Sequence, residues 1–489
     1  MNPKRYCAVA ITVLLTVHAD AQTRQKVRAN DLKADVSFLA SDALQGRGTP
    51  SPGLDVAAEY VAAQFRRAGL EPSGDDGYFQ TANYQSVTPA LDAPELTLEA
   101  GGVALKAERS AMAVQEPAAA DLTHVPVVKA DLGNAAAMDA LTVEQVRGKV
   151  LQVGFPDSGS AGYSAMRTLS AAIARLDPAL VIVTRKGSIG AGPRTRLREA
   201  ATTASRVPIL AVWDPAIRKA AEAAGEAAVS VHIPTPSVDA VKLRNVIGLL
   251  RGSDPVLRDT YVVVSAHYDH LGVRGSGEGD HIYNGANDDA SGTASVIEAA
   301  VALAGQPERP KRSIVFMTFF GEESGELGSR FYCQHPVFPP AATVADVNLE
   351  QLGRTDDTEG PRVLQFNLTG FDYTDIAATF SKAGGETGIR VVKHERNSDA
   401  FFGASDNAAF AEIGIPSTTL SVSYIFPDYH KPGDEWTKLD YENMAKVDDA
   451  IVLGVFRIAD SVTAPQWNGR NPQAQRYIQA REKKVEIKK

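Results

Sequence analysis

The sequence predicts an α/β fold, and three observations predict it. Two short apolar runs rich in β-branched or aromatic residues, 260–264 and 313–320, read as buried strands. Apolar residues recur at helical spacing over 54–70 and again from Ala294 onward. Histidines and carboxylates gather just past the carboxyl ends of the strands, where open α/β sheets bind their ligands.

Taken in order, the chain opens with a targeting segment. Lys4 and Arg5 precede an apolar stretch at 7–17, and Ala19-Asp20-Ala21 fits a small-x-small cleavage site. The apolar stretch is too short to span a bilayer as a stable helix. Residues 1–21 are therefore expected to be a signal peptide removed on export, which places the mature protein in the periplasm or outside the cell. Cys7 leaves with that segment, so Cys333 is the single mature cysteine and no internal disulfide is expected.

Asp31 is placed to cap a helix carrying Leu32, Val36 and Leu39. The second helix, 54–70, sets Leu54, Ala57, Val61, Phe65 and Ala68 on one face and ends at Gly69. Between them, Leu44-Gln45-Gly46-Arg47-Gly48-Thr49 reads as a turn-rich loop in which Gly46 and Gly48 serve the backbone. From 91 to 237 the texture changes. Alanine is abundant and ligand-type side chains do not cluster. Residues 148–153, 180–184 and 207–212 read as strands there, and 169–176 as a helix. His124 and His232 fall in this part and are not expected to bind metal. Strands resume at 245–250, 260–264, 313–320, 344–349, 363–366 and 418–422. The glycine-rich stretch 272–280 reads as a flexible loop near the site. Past Pro465 the chain turns polar and reads as a solvated tail or frayed helix.

Three clusters carry the chemistry. His267 and Asp269 follow the 260–264 strand, and a carboxylate near a ligating imidazole commonly sets its tautomer. His270 and His281 are the alternatives to His267. Asp288 and Asp289 open a helical pattern, where acidic residues also serve as caps. Glu322 and Glu323 end the 313–320 strand. Two adjacent carboxylates there repel each other unless a cation or a shared proton offsets the charge. Such a pair also allows a division of labour, one carboxylate binding metal and its neighbour accepting a proton from a metal-activated water.

HYDHLG (267–272), GANDDASG (285–292) and GEESGELGS (321–329), in that order, resemble the family 28 metallopeptidases. These are double-zinc exopeptidases that include secreted bacterial aminopeptidases and glutamate carboxypeptidases. VNLEQLGR (347–354), ASDNAAFAEIGIPS (404–417) and DYHKPGDEW (428–436) continue the resemblance. It implies a zinc exopeptidase fold, a mixed central sheet flanked by helices, and two zinc ions per chain. One zinc would be held by His267, Asp288 and Glu350, and the other by Asp288, Glu323 and His430, so that Asp288 bridges. Glu322 would be the general base, Asp269 the partner of His267, and Tyr429 a stabiliser of the oxyanion. Two positions depart from the family pattern. Glu350 stands where aspartate is usual, and Glu326, where an apolar residue is usual, is expected to be exposed or to touch substrate. Asp434 is a candidate to orient His430, and Ser405-Asp406 either caps a helix or lines the pocket. The strands of 91–237 resemble the protease-associated domain often inserted in this family. The implied division is a catalytic domain in two segments, 22–90 and 238–465, around a 91–237 insert, with a tail at 466–489.

Composition bounds the alternatives. A chain of 489 residues, 44% hydrophobic and 22% charged, has an ordinary globular composition and room for a large core. Its net charge of −9 argues against nucleic acid or an anionic membrane surface as partner. No run after the signal is long enough to span a bilayer. The substrate class implied is peptides. An aminopeptidase is the first reading. A carboxypeptidase or dipeptidase of the same fold would need arginines for the substrate carboxylate, and Arg330, Arg354, Arg390 and Arg396 are available. A non-catalytic peptide-binding relative would not be expected to keep both histidines and the Glu322-Glu323 pair. Neither a Gly-x-Ser-x-Gly elbow nor an HExxH pair is present.

Overall fold

The computed structural model describes residues 25–90, 94–155, 160–187, 195–201 and 207–486. The expected signal peptide, 1–21, and Cys7 lie outside the described residues. Contacts divide the chain into two compact units, Met1–Gln80 with Arg244–Lys489, and Thr81–Leu243.

The first unit is built on a mixed sheet. Its main strands are β1 (Ser237–Leu250, entering this unit at Arg244), β2 (Tyr261–His267), β3 (Ser313–Phe319), β4 (Thr343–Leu349), β5 (Gln365–Leu368), β6 (Arg390–Val392) and β7 (Ser417–Ser421). Their order across the sheet is β6-β5-β7-β4-β2-β3-β1. β2 runs parallel to both β3 and β4, and β4 runs parallel to β7. The antiparallel pairs are β1 with β3 and β5 with β7. Every residue of β3 and β4 is buried, as expected of strands covered on both faces.

Alternation sorts the core. Ile247, Leu249, Val263, Val315, Met317 and Phe319 share one face and pack with Tyr332 of α4 (Leu327–Gln334) and Phe410 of α6 (Asn407–Glu412). On the opposite face Phe316 meets Phe65 of α2 (Pro52–Arg67), with ring centroids 6.4 Å apart. The other α-helices longer than four residues are α1 (Ala29–Leu39), α3 (Gly292–Ala304), α5 (Ile376–Thr387), α7 (Tyr441–Asp460) and α8 (Gln475–Glu486). Ser51 caps α2 by accepting from Leu54 N at 3.1 Å, and Pro52 needs no donor at the first turn.

Four local expectations are corrected. Arg28, not Asp31, is the N-cap of α1. Asp31 lies in the first turn, where a carboxylate suits the helix dipole, and it binds Arg28 at 2.6 Å. The strand expected at 363–366 runs Gln365–Leu368. Within 272–280, Gly272–Val273 pairs antiparallel with Ile282–Tyr283, so the loop starts as a ribbon. The polar end is not a free tail. α8 buries Tyr477 against Trp467 and Phe402, with centroids 5.0 and 5.4 Å away, because a few aromatic contacts suffice to dock an otherwise polar helix.

The second unit holds an eight-stranded sheet. In order across the sheet its strands are Val103–Lys106, Glu95–Ala100, Ala227–Ile233, Ala120–Asp131, Val150–Gly154, Leu180–Thr184, Ile209–Val212 and Met112–Glu116. The four from Ala120–Asp131 to Ile209–Val212 run parallel. Leu151, Val153, Val181 and Val183 pack with Leu169, Ala172 and Leu176 of the helix Ser160–Leu176. Val150, Leu180 and Ile182 face Ile217 and Ala221 of the helix Pro215–Glu222. Among the described residues, no helix is long and apolar enough to cross a membrane.

Candidate active site

Strand register gathers the site. His267 is the last residue of β2 and pairs with Phe319, the last residue of β3. Ser265 pairs with Asn348 of β4, so Glu350 follows at the same edge. Parallel strands therefore release Asp269-His270, Glu322-Glu323 and Glu350 side by side. Gly321 at φ +66° turns the chain out of β3, a conformation that favours glycine.

The two adjacent aspartates separate in role. Asp289 Oδ1 accepts from Gly292 N at 3.0 Å and from Gln351 N at 3.1 Å, so it secures the start of α3 to the loop after β4. Asn287 Oδ1 accepts from Gly353 N and Arg354 N, which fastens the same loop. Asp288 instead points into the cluster. Its Oδ1 lies 3.4 Å from His267 Nε2 and its Oδ2 3.1 Å from His430 Nε2. Asp434 accepts from Asn287 N and Asp288 N at 3.0–3.1 Å. Asp434 thus holds the backbone that carries Asp288. The expectation that it orients His430 is not met among the described residues, where its carboxylate binds the Asn287 and Asp288 backbone.

His267 is fully buried. Its Nε2 faces Asp288 at 3.4 Å, Glu350 Oε1 at 3.6 Å and Glu322 Oε2 at 4.0 Å. Its Nδ1 lies 3.2 Å from the Asp269 carbonyl and 3.6 Å from the Asp269 carboxylate. That carboxylate accepts from Glu322 N and from Thr49 Oγ1, both at 3.0 Å. One aspartate therefore ties His267, Glu322 and the loop after α1 together. His430, at φ +54°, faces Asp288 and Glu323 Oε1, the latter at 3.3 Å. Tyr429 stacks on His430 with centroids 4.0 Å apart.

Electrostatics follow from burial and charge crowding. Burial opposes protonation of His267, but Asp269, Asp288 and Glu350 outweigh it and raise its pKa well above the ordinary value. Asp288 is held below the usual carboxylate range by His267 and His430 despite its burial. Burial and the Asp288 charge push Glu323 up, yet His270 and His430 hold it at about 2. Burial drives Glu322 well above the usual range, opposed by His267 and helped by Glu350 and Glu323. Burial and the surrounding carboxylates likewise keep the Tyr429 hydroxyl protonated.

Two residues that build the site were underrated in the sequence. Arg47 is wholly buried and donates to the carbonyls of Tyr268 (2.8 Å), Asn284 (2.7 Å), Gly285 (2.9 Å) and Leu39. Its signal was a charged residue between two turn glycines, and the glycines drew the reading. His270, weighed only as a substitute for His267, lies with Nδ1 2.8 Å from Glu323 Oε1. His281 stays on the ribbon with Nε2 3.1 Å from the Gly277 carbonyl. Glu326 is not exposed. It is mostly buried, bound to Arg330 at 2.8 Å, and burial lifts its carboxyl to about 7. Asp406 precedes α6 without making the expected side-chain cap, and its buried carboxyl is raised to about 7 by desolvation.

Two groups of donor atoms are spaced to hold cations, His267 with Asp288 and Glu350, and His270 with Asp288 and Glu323. Donors around one tetrahedral zinc with bonds of about 2.0–2.1 Å sit about 3.3 Å apart. The contacts of 3.1–3.6 Å around Asp288 match that spacing. His267 Nε2, His270 Nδ1 and Glu323 Oε1 are buried without a hydrogen-bond partner. Asp269, Asp288, Asp289, Asp434, Glu322, Glu323 and Glu350 crowd around Arg47 and the imidazoles, a charge excess that divalent cations would offset. The residues present therefore fit zinc.

Comparison with known proteins agrees. The family described as "Peptidase family M28" matches residues 245–455. A probable zinc metalloprotease of Pyrenophora teres f. teres is 28% identical over 252 residues, covering 47% of this chain and 52% of its own. Aminopeptidase YwaD of Bacillus subtilis is 25% identical, covering 46% of each chain. The chain thus spans about half the length of these curated relatives. Among solved structures, the aminopeptidase from Aneurinibacillus sp. strain AM-1 superposes with a TM-score of 0.58 at 20% identity, covering 89% of this chain and 94% of that one. BSAP, a zinc aminopeptidase from Bacillus subtilis, gives 0.52 at 20% identity, covering 90% and 97%. At that identity the structural likeness establishes the fold.

Proposed function

With residues 245–455 forming a peptidase family M28 domain, we propose that this protein is an exported zinc aminopeptidase acting on peptides. The observation that carries the reading is a pair of cation-holding groups that share Asp288, with Glu322 beside them. His267, Asp288 and Glu350 would hold one zinc, and Asp288, Glu323 and His430 the other. Bound there, the ions would acidify a water and polarise the scissile carbonyl. Glu322 accepts the proton of the attacking water and delivers it to the leaving amine. Asp269 keeps His267 in one tautomer and, through Glu322 N, sets where the base stands. The Tyr429 hydroxyl, kept protonated, donates to the developing oxyanion.

The arginines support the choice of the amino end. Arg354 is engaged by Asp356 and Asp428, and Arg330 by Glu326 and Glu412. Arg396 is bound to Glu359, and Arg390 to Gln365. Three of the four candidate grips for a substrate carboxylate are therefore already paired with carboxylates, and Arg390 holds a neutral amide. The surplus of carboxylates suits a substrate ammonium instead. The second unit is read as a protease-associated domain. It contributes no cation-holding group among the described residues.

A peptide panel with free N-termini, set against the same panel N-acetylated, tests this in zinc-loaded protein with and without chelator. Chelator-sensitive cleavage restricted to free N-termini is expected. Cleavage indifferent to acetylation would overturn the aminopeptidase reading.

A further inference from the structure

We propose that His270 is itself a metal ligand. The ion beside Glu323 would then sit among four protein donors, His270 Nδ1, Asp288 Oδ2, Glu323 Oε1 and His430 Nε2. The inference rests on the two-zinc reading and goes beyond its ligand set.

The donor atoms converge, with the His270 contacts bracketing the spacing of about 3.3 Å for donors on one zinc. His270 Nδ1 lies 2.8 Å from Glu323 Oε1 and 4.0 Å from Asp288 Oδ2. His430 Nε2 is 3.1 and 3.3 Å from the same two oxygens. The rings of His270 and His430 meet edge to face, with centroids 5.7 Å apart. The simpler reading is a hydrogen bond from His270 to Glu323. At 2.8 Å distance is no obstacle, yet both His270 Nδ1 and Glu323 Oε1 lack a hydrogen-bond partner. The obstacle is direction, since a hydrogen bond needs the donor aimed at the acceptor. Atoms that close and not aimed at each other suit a common third centre.

The seat of the ring is built. His270 is 1% exposed. Gly285, at φ +59°, lies so close that a Cβ there would fall 2.4 Å from the imidazole. His270 N donates to the Arg47 carbonyl at 3.2 Å, while the Arg47 guanidinium holds the carbonyls of Tyr268 and Gly285. The buried arginine thus braces the backbone before the ring and the backbone beneath it.

The consequence is an unequal pair of sites. His267, Asp288 and Glu350 supply three donors and leave a position open, as catalytic zinc sites do. The His270 cage supplies four, a fuller set that would hold its ion more tightly and still leave a fifth position for a water. Chelators should strip the first ion readily and the second slowly.

The test measures zinc stoichiometry and both dissociation constants by chelator competition, in wild type, His270→Ala and His281→Ala. His270→Ala should weaken one ion by more than about 100-fold and spare the other, since removing an outer partner of a ligand costs about 10–100-fold. His281→Ala should match wild type. A loss of 100-fold or less in His270→Ala would overturn the proposal. A zinc-loaded crystal structure of the wild type decides the matter even where the variant fails to fold. Nδ1 at about 2.1 Å from the ion supports ligation, and Nδ1 beyond bonding distance overturns it. Two bound ions with His270 apart would remove this inference alone, whereas failure of the wild type to bind a second ion would remove the reading beneath it.

Discussion

Histidines lie beside carboxylates in both units, and the two settings differ in what water can reach. In the second unit His124 Nδ1 is 3.1 Å from Glu99 and His232 Nδ1 is 3.9 Å from Asp121, with 40–85% of each side chain exposed. In the first unit His267 and His270 are fully buried against Asp288, Glu323 and Glu350, each 3–15% exposed. Residue types and distances are alike. Exposed pairs of this kind are worth about 0–1 kcal/mol, because water screens them. Buried carboxylates cannot share that screening and must be offset by protons, hydrogen bonds or a cation. Convergence and desolvation, more than the presence of histidine, mark the site.

The largest effect expected from this contrast is at Glu322. Glu322→Gln should lower kcat by about 10²–10⁴-fold, the usual worth of a general base, with zinc content unchanged. Zinc loss with activity retained would break the assignment.

A smaller effect sharpens the role of burial away from the site. Asp35 and Glu298 are 3% and 4% exposed on α1 and α3, where Asp35 accepts from Tyr60 and Glu298 from Arg67. Burial lifts Asp35 to about 6, and burial with the Asp35 charge lifts Glu298 to about 7. The folded protein keeps these protons to higher pH than the unfolded chain, which releases them near 4. Their stabilisation is thus fully present below about pH 4 and is lost as pH rises through about 6 to 7. Glu298→Gln should remove roughly 3 kcal/mol of that pH dependence, read as a flatter unfolding profile from pH 4.5 to 8 than wild type. Equal profiles would show that water reaches this carboxyl.

The smallest effect belongs to the second unit. His124→Ala should change stability by less than about 1 kcal/mol and leave zinc content unaltered. A lost zinc ion would erase the contrast between the units.

Much of this was legible because some signals are local. β2 and β3 announce themselves as apolar runs, since a strand covered on both faces is mostly apolar. The Glu322-Glu323 pair is conspicuous because adjacent carboxylates after such a strand are costly unless offset. Arg47, His270 and Asp434 were opaque for the opposite reason. Each acts through backbone groups or side chains distant in sequence, such as Asn284 for Arg47, Glu323 for His270 and Asn287 for Asp434. The docking of α8 was hidden likewise, because one tyrosine in a polar helix carries no periodic signal.

By itself, then, the sequence determined the α/β class, the central strands β2 and β3 and the chemical types available at their ends, all functions of neighbouring residues. The tertiary structure alone decided which of them meet. Parallel register brings His267, Glu322 and Glu350 to one edge, and Asp289 turns to hold Gly292 and Gln351 while Asp288 turns inward. It also buries His270 against Glu323 and leaves His124 in water. Those outcomes depend on desolvation and on distances between chain segments, which exist only once the sheet has closed around them.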